Sequence, residues 1–141
     1  MSRVMLALVG ALTTAPATAA SLVVRVEGIA ERGGEVRVAV CDRGFAEAGC
    51  SIGARRMARA SSVEEFRFEG LKPGRYAVAV YQDANGNGEL DRVPPGLPIE
   101  PYGFSNDVGR FGPPSFERAV VPVLDEDARV VVSLGRLFGA G

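Results

Sequence analysis

The sequence predicts an all-β fold, a small antiparallel β-sandwich of six to seven strands with one long irregular loop, and three observations predict it. Apolar residues recur at every second position in several short segments, and no helical segment of any length is visible. The 18 Gly and 9 Pro supply many turns. With 47% hydrophobic and 23% charged residues among 141, the composition is globular and sufficient for one core, not two.

The first strand is read from Leu22, Val24 and Val26 alternating with Val23, Arg25 and Glu27, and the second from Val36, Val38 and Val40 alternating with Glu35, Arg37 and Ala39. A turn over residues 31–34 joins them as a first hairpin. From 42 to 62 the period is lost in a stretch rich in Ala, Gly and Arg, which reads as a crossover loop with a short helix; its Arg55, Arg56 and Arg59 read as a solvated face. Phe66 and Phe68, then Tyr76, Val78 and Val80, frame the turn Leu71-Lys72-Pro73-Gly74, giving a second hairpin over 63–81. Two further strands, 116–123 and 129–134, meet through Asp125-Glu126-Asp127, and Pro122 places the first at an edge or a bulge. Two such sheets bury their apolar faces by packing on each other.

Residues 1–20 carry Arg3, an apolar stretch from Val4 to Leu12 and the small run Ala17-Thr18-Ala19-Ala20, the plan of a cleavable signal peptide; residues 21–141 form the single domain. The apolar stretch is about half the roughly 20 residues of a spanning helix. The expected product is therefore exported, periplasmic or secreted, without a transmembrane segment. Arg3 leaves with the leader, so 15 basic residues remain against 17 acidic ones, formally −2. That balance points to neither nucleic acid nor an anionic membrane surface. Cys41 and Cys50, with eight residues between them, are the two cysteines. In an oxidising compartment they are expected to form a local disulfide.

Histidine is absent. This excludes Ser-His-Asp and Cys-His nucleophile arrangements and His-bound zinc or copper, and no residue is nominated as catalytic. The specific chemistry lies in Asp83-Ala84-Asn85-Gly86-Asn87-Gly88-Glu89-Leu90-Asp91. Oxygen side chains at positions 1, 3 and 5, a glycine at 6 and an acid at 9 suit calcium, a hard ion that takes six to eight oxygens. Position 12, where a bidentate glutamate completes the helix-loop-helix site, is Pro94. The expected structural Ca2+ ligands are thus Asp83, Asn85, Asn87, Glu89 and Asp91, with Glu100, Asn106 and Asp107 as further candidates. The competing reading is an Asn-Gly-rich turn.

The long loop after it holds Tyr102, Phe104 and Phe111, which form either a ligand-binding surface or a lid that plugs one end of the sandwich. The function expected is a non-enzymatic, calcium-stabilised binding or structural module, monomeric, with an envelope or extracellular partner. The alternatives are a carrier of a small apolar ligand and a metal-dependent carboxylate hydrolase acting on glycans, using Asp83, Asp91, Glu100 and Asp107. A carboxylate-lined cleft near the aromatic loop favours chemistry and an apolar one favours carriage.

The 83–91 loop, followed by Tyr102-Gly103-Phe104-Ser105-Asn106 and Phe111-Gly112-Pro113-Pro114-Ser115-Phe116, resembles a bacterial family of exported proteins, domain-of-unknown-function family 2141, from Leu22 to Leu134. The resemblance implies a secreted or periplasmic β domain with no assigned activity, and the cysteine pair is not part of its pattern. Leu71-Lys72-Pro73-Gly74-Arg75-Tyr76 is similar to hairpins of prealbumin-like and collagen-adhesin B-type sandwiches; together with the strand count this implies an immunoglobulin-like or prealbumin-like fold class and carries no function.

Overall fold

The computed structural model describes residues 10, 19–31, 33–57, 61–87, 92–93, 97–98, 100–110 and 112–135. The predicted leader falls almost wholly outside them, as do Arg59, Glu89, Asp91, Pro94 and Phe111. Ala20, the last leader residue by the sequence reading, already pairs with Leu71 at the start of the first strand.

Among the described residues, eight strands form the two sheets of a sandwich. β1 (Ala20–Glu27) lies between β4 (Glu64–Leu71), antiparallel, and β10 (Ala128–Ser133), parallel. The second sheet runs β3 (Ile52–Met57), β2 (Glu35–Cys41), β5 (Gly74–Asp83), β8 (Tyr102–Phe104), with β9 (Val121–Val123) also on β5. A separate two-residue ladder joins β6 (Arg92–Val93) to β7 (Leu97–Pro98). The sandwich is as expected, and among the described residues β1 with β10 is the one parallel pair in the two sheets.

Alternation identified which face of each strand is buried. Leu22, Val24, Val26, Phe66, Phe68, Val130 and Val132 face Val36, Val38, Val40, Tyr76, Val78 and Val80 in one core. It did not identify the neighbours. Neither predicted hairpin exists: β1 and β2 lie in different sheets, and so do β4 and β5. The Leu71–Gly74 turn carries the chain from one sheet to the other, with the Tyr76 hydroxyl donating to Lys72 O at 2.6 Å. The aperiodic 42–62 stretch holds a 3-10 turn (Glu47–Gly49) and then β3, an edge strand in which only Ile52 and Ala54 are half-buried against the core. Residues 116–119 are not strand but a short helix, α1 (Phe116–Ala119), capped by Ser115, and only 121–123 extend. Pro122 does sit on an edge strand, where its missing N–H costs no ladder bond.

Two polar residues hold the connections. Gln82 is fully buried; its amide donates to Ala30 O and Gly33 O and accepts from Ala30 N, all at 2.8 Å, pinning the chain between β1 and β2. Ser105, also fully buried, donates to Ala119 O at 2.6 Å and accepts from Val78 N at 2.9 Å. Gly103 lets β8 close against the other sheet, since a Cβ there would stand 2.5 Å from Ser133 O.

Candidate functional site

Asp83 ends β5 opposite Glu35 and opens the acidic loop. Its side chain is completely buried. Oδ1 accepts the Asn87 N–H at 3.2 Å, and Asn85 Oδ1 accepts the same N–H at 3.2 Å, so a carboxylate and an amide oxygen converge inside the turn. Gly86 supplies the left-handed conformation (φ 70°) that the reversal requires. Gly34, just before β2, lies against this point, where a Cβ would collide with Asp83 O.

Asp83 Oδ2 faces Arg37 Nε at 3.4 Å, and Arg37 Nη2 binds Glu35 Oε2 at 2.8 Å. Both lie on the outer face of the sheet, next to Tyr81 in register with Arg37. Burial pushes the Tyr81 hydroxyl above the ordinary tyrosine value; Arg37 opposes this, while Asp83, Glu100 and Glu35 add to it. The buried Glu100 therefore stands in the same electrostatic neighbourhood, just before Pro101, whose carbonyl accepts the Gln82 N–H at 2.9 Å. Of the three further ligand candidates in the described chain, Glu100 is the one brought near Asp83.

Asn106 and Asp107 are elsewhere. Ser105 is hydrogen-bonded to Val78, five residues before Asp83 on β5, which places this turn about 17 Å from the acidic loop along the strand. Asn106, in the left-handed region (φ 58°), donates from its amide to Arg118 O and Val120 O at 3.1 Å each and so anchors α1. Asp107 pairs with Arg110 in solvent at 3.3 Å. No group of three or more His, Cys, Asp or Glu capable of holding a metal occurs among the described residues. The described part of the loop offers oxygens only, the donor type calcium takes, but Arg37 already occupies one side of Asp83.

The aromatic residues assemble with the disulfide loop. Cys41 and Cys50 are joined (S–S 2.01 Å), and Phe45 between them packs on Phe104 at 4.9 Å and on Phe116 at 5.7 Å. Tyr102 lies 6.1 Å from Phe104, and its hydroxyl donates to Gly109 O at 3.3 Å.

The sequence reading missed an open cavity of about 440 Å3 on the outer face of the second sheet, lined by Arg37, Val38, Ala39, Gly53, Ala54, Arg55, Ala79 and Tyr81. Its signal was present: Ala39 and Ala79 occupy outward positions between larger residues. Without the β2–β3 and β2–β5 register, nothing in the sequence set them side by side.

With an open groove whose floor is one small-residue row, beside a buried salt-bridged carboxylate, the chain is in form a small β-sandwich domain. The family described as "Uncharacterized protein conserved in bacteria (DUF2141)" matches residues 24–131, and the chain belongs to it. No curated protein and no solved structure matches the chain.

Proposed function

We propose that the protein is exported to the periplasm or beyond and serves there as a non-enzymatic binding domain whose 83–91 loop takes up calcium. The observation that carries the calcium reading is the convergence of Asp83 Oδ1 and Asn85 Oδ1 on one N–H inside the turn, with Glu100 buried nearby. The ion would draw on Asp83, Asn85, Asn87 and Glu100, with Glu89 and Asp91 completing the oxygen set. The leader pattern and the Cys41–Cys50 bond both suit an oxidising compartment.

Ligand carriage is favoured over carboxylate chemistry by the composition of the groove. No carboxylate lines it among the described residues, and its floor is Ala39, Gly53 and Ala79. In the calcium test, the melting temperature is measured in millimolar calcium and in chelator. Binding to the folded state alone raises stability by RT ln(1 + [Ca]/Kd). A calcium-dependent rise that Asp83→Asn abolishes is expected; equal melting temperatures overturn the calcium reading.

A further inference from the structure

The register of the second sheet arranges its outer face in rows that cross the strands. Arg55, Arg37, Tyr81 and Tyr102 stand opposite one another on β3, β2, β5 and β8. The next row is Gly53, Ala39, Ala79 and Phe104. Beyond it come Cys41 and Ala77, with the disulfide loop and Phe45 above them. Paired residues in a ladder point to the same face, and same-face rows lie about 7 Å apart. A row of long side chains therefore faces the disulfide loop across a row with almost none. With strands about 4.8 Å apart, the resulting trench is about 14 Å long from Gly53 to Phe104. It is open at β3, the sheet edge, and aromatic at the other end.

The two guanidiniums on its wall differ. Arg37 is committed to Glu35 and Asp83. Arg55 is exposed and makes no hydrogen bond or ion pair with any described residue, so its planar fork of donors remains available at the open end. The floor side chains of Ala39 and Ala79 offer neither donor nor acceptor, which disfavours a sugar or any ligand with polar groups along its length.

We propose, building on the binding-domain reading, that this trench is the ligand site and that its ligand is a small amphipathic acid. The flat apolar body lies over Ala39 and Ala79 against Tyr81, and a carboxylate, sulfonate or phosphate at one end is held by Arg55.

Two probes with one ring system test this: 8-anilinonaphthalene-1-sulfonate and the uncharged N-phenyl-1-naphthylamine, titrated by fluorescence against the folded domain in calcium and in chelator. The sulfonate is expected to bind saturably and more tightly than the amine, with amide shifts at Ala39, Gly53 and Ala79. Arg55→Gln weakens the sulfonate about tenfold or more and leaves the amine unchanged, since a charged hydrogen-bonded pair is lost. Ala79→Leu, or Ala39→Leu should the first fail to fold, fills the floor and weakens both. No saturable binding, an unchanged affinity in Arg55→Gln, or shifts confined to the free edge of β3, the mark of an added peptide strand, overturns the proposal. Binding that persists in chelator separates it from the calcium reading, which stands or falls on melting temperature.

Discussion

Arg37 reaches across from β2 to Asp83 at the end of β5, its Nε 3.4 Å from a carboxylate that is completely buried while Arg37 itself keeps contact with solvent. The pair ties the sheet to the start of the acidic loop. Without Asp83, Arg37 keeps Glu35 and its contact with solvent, whereas without Arg37 a completely buried carboxylate loses that counter-charge. Arg37→Ala is therefore expected to cost about 2–3 kcal/mol, and more than Asp83→Ala, which leaves a partly wet Arg37 on Glu35. Urea unfolding of the single variants and of Asp83→Ala with Arg37→Ala measures it, and a coupling near zero in that cycle would dismiss the pair.

Ser105 and Asn106 give the opposite contrast. Both bind carbonyls of the segment from Arg118 to Val120, and Ser105 adds the Val78 N–H. Ser105→Ala leaves a buried donor and acceptor unpaired and is expected to cost about 1–3 kcal/mol. Asn106→Ala also destabilises, having left-handed backbone as well as two hydrogen bonds to lose. Because both lie a long way from the acidic loop, neither should change the melting-temperature response to calcium. A response lost in Asn106→Ala would place that residue at the ion after all.

The strands that alternate cleanly were legible because burial on one face imposes a period of two, and Leu22, Val36, Phe66, Val78 and Val132 all point inward as their positions demand. Pairing was not legible. A tight turn such as Pro73-Gly74 joins two strands within one sheet or across two with the same residues, and here it crosses. β3 escaped notice because only Ile52 and Ala54 pack on the core, and two small half-buried positions write too short a pattern. The Asp83-Asn85-Asn87 spacing is local and was readable, whereas Arg37 and Glu100 come to it through the sheet. Asn106 reads from the sequence as a further ligand of the acidic loop, because the carbonyls that it and Ser105 bind lie on and just after α1, a segment that reads as strand.

Alkaline pH should loosen the domain through two tyrosines. Burial, with Asp42 adding to it, raises the Tyr76 hydroxyl, and burial is also the main cause at Tyr81. Both groups lose their proton near pH 10 when unfolded and later when folded. Above pH 10 the unfolded chain thus holds fewer protons, and stability present at lower pH falls as pH rises through the folded values. The melting temperature is expected to drop between about pH 9 and about pH 11. Tyr76→Phe with Tyr81→Phe should flatten that drop; an equal slope in the double variant would assign it to other groups.

The Cys41–Cys50 bond closes a loop whose Phe45 is the shared neighbour of Phe104 and Phe116. Reduction should therefore act at two levels. Globally, freeing a loop of this length lowers stability by about 2–3 kcal/mol, chiefly by enlarging the unfolded ensemble. Locally, Phe45 loses the tether that holds it over Phe104, and the aromatic end of the trench opens while the core valines beneath stay packed. Hydrogen exchange before and after reduction distinguishes the two: protection should fall most in residues 42–50 and at Phe104, and least at Val38 and Val78. If the naphthalene probes occupy the trench, reduction weakens both of them through the loosened Phe45–Phe104 end; because the loop also carries Asp42, Arg43 and Glu47, a loss confined to the sulfonate would show that it contributes to recognition of the anion.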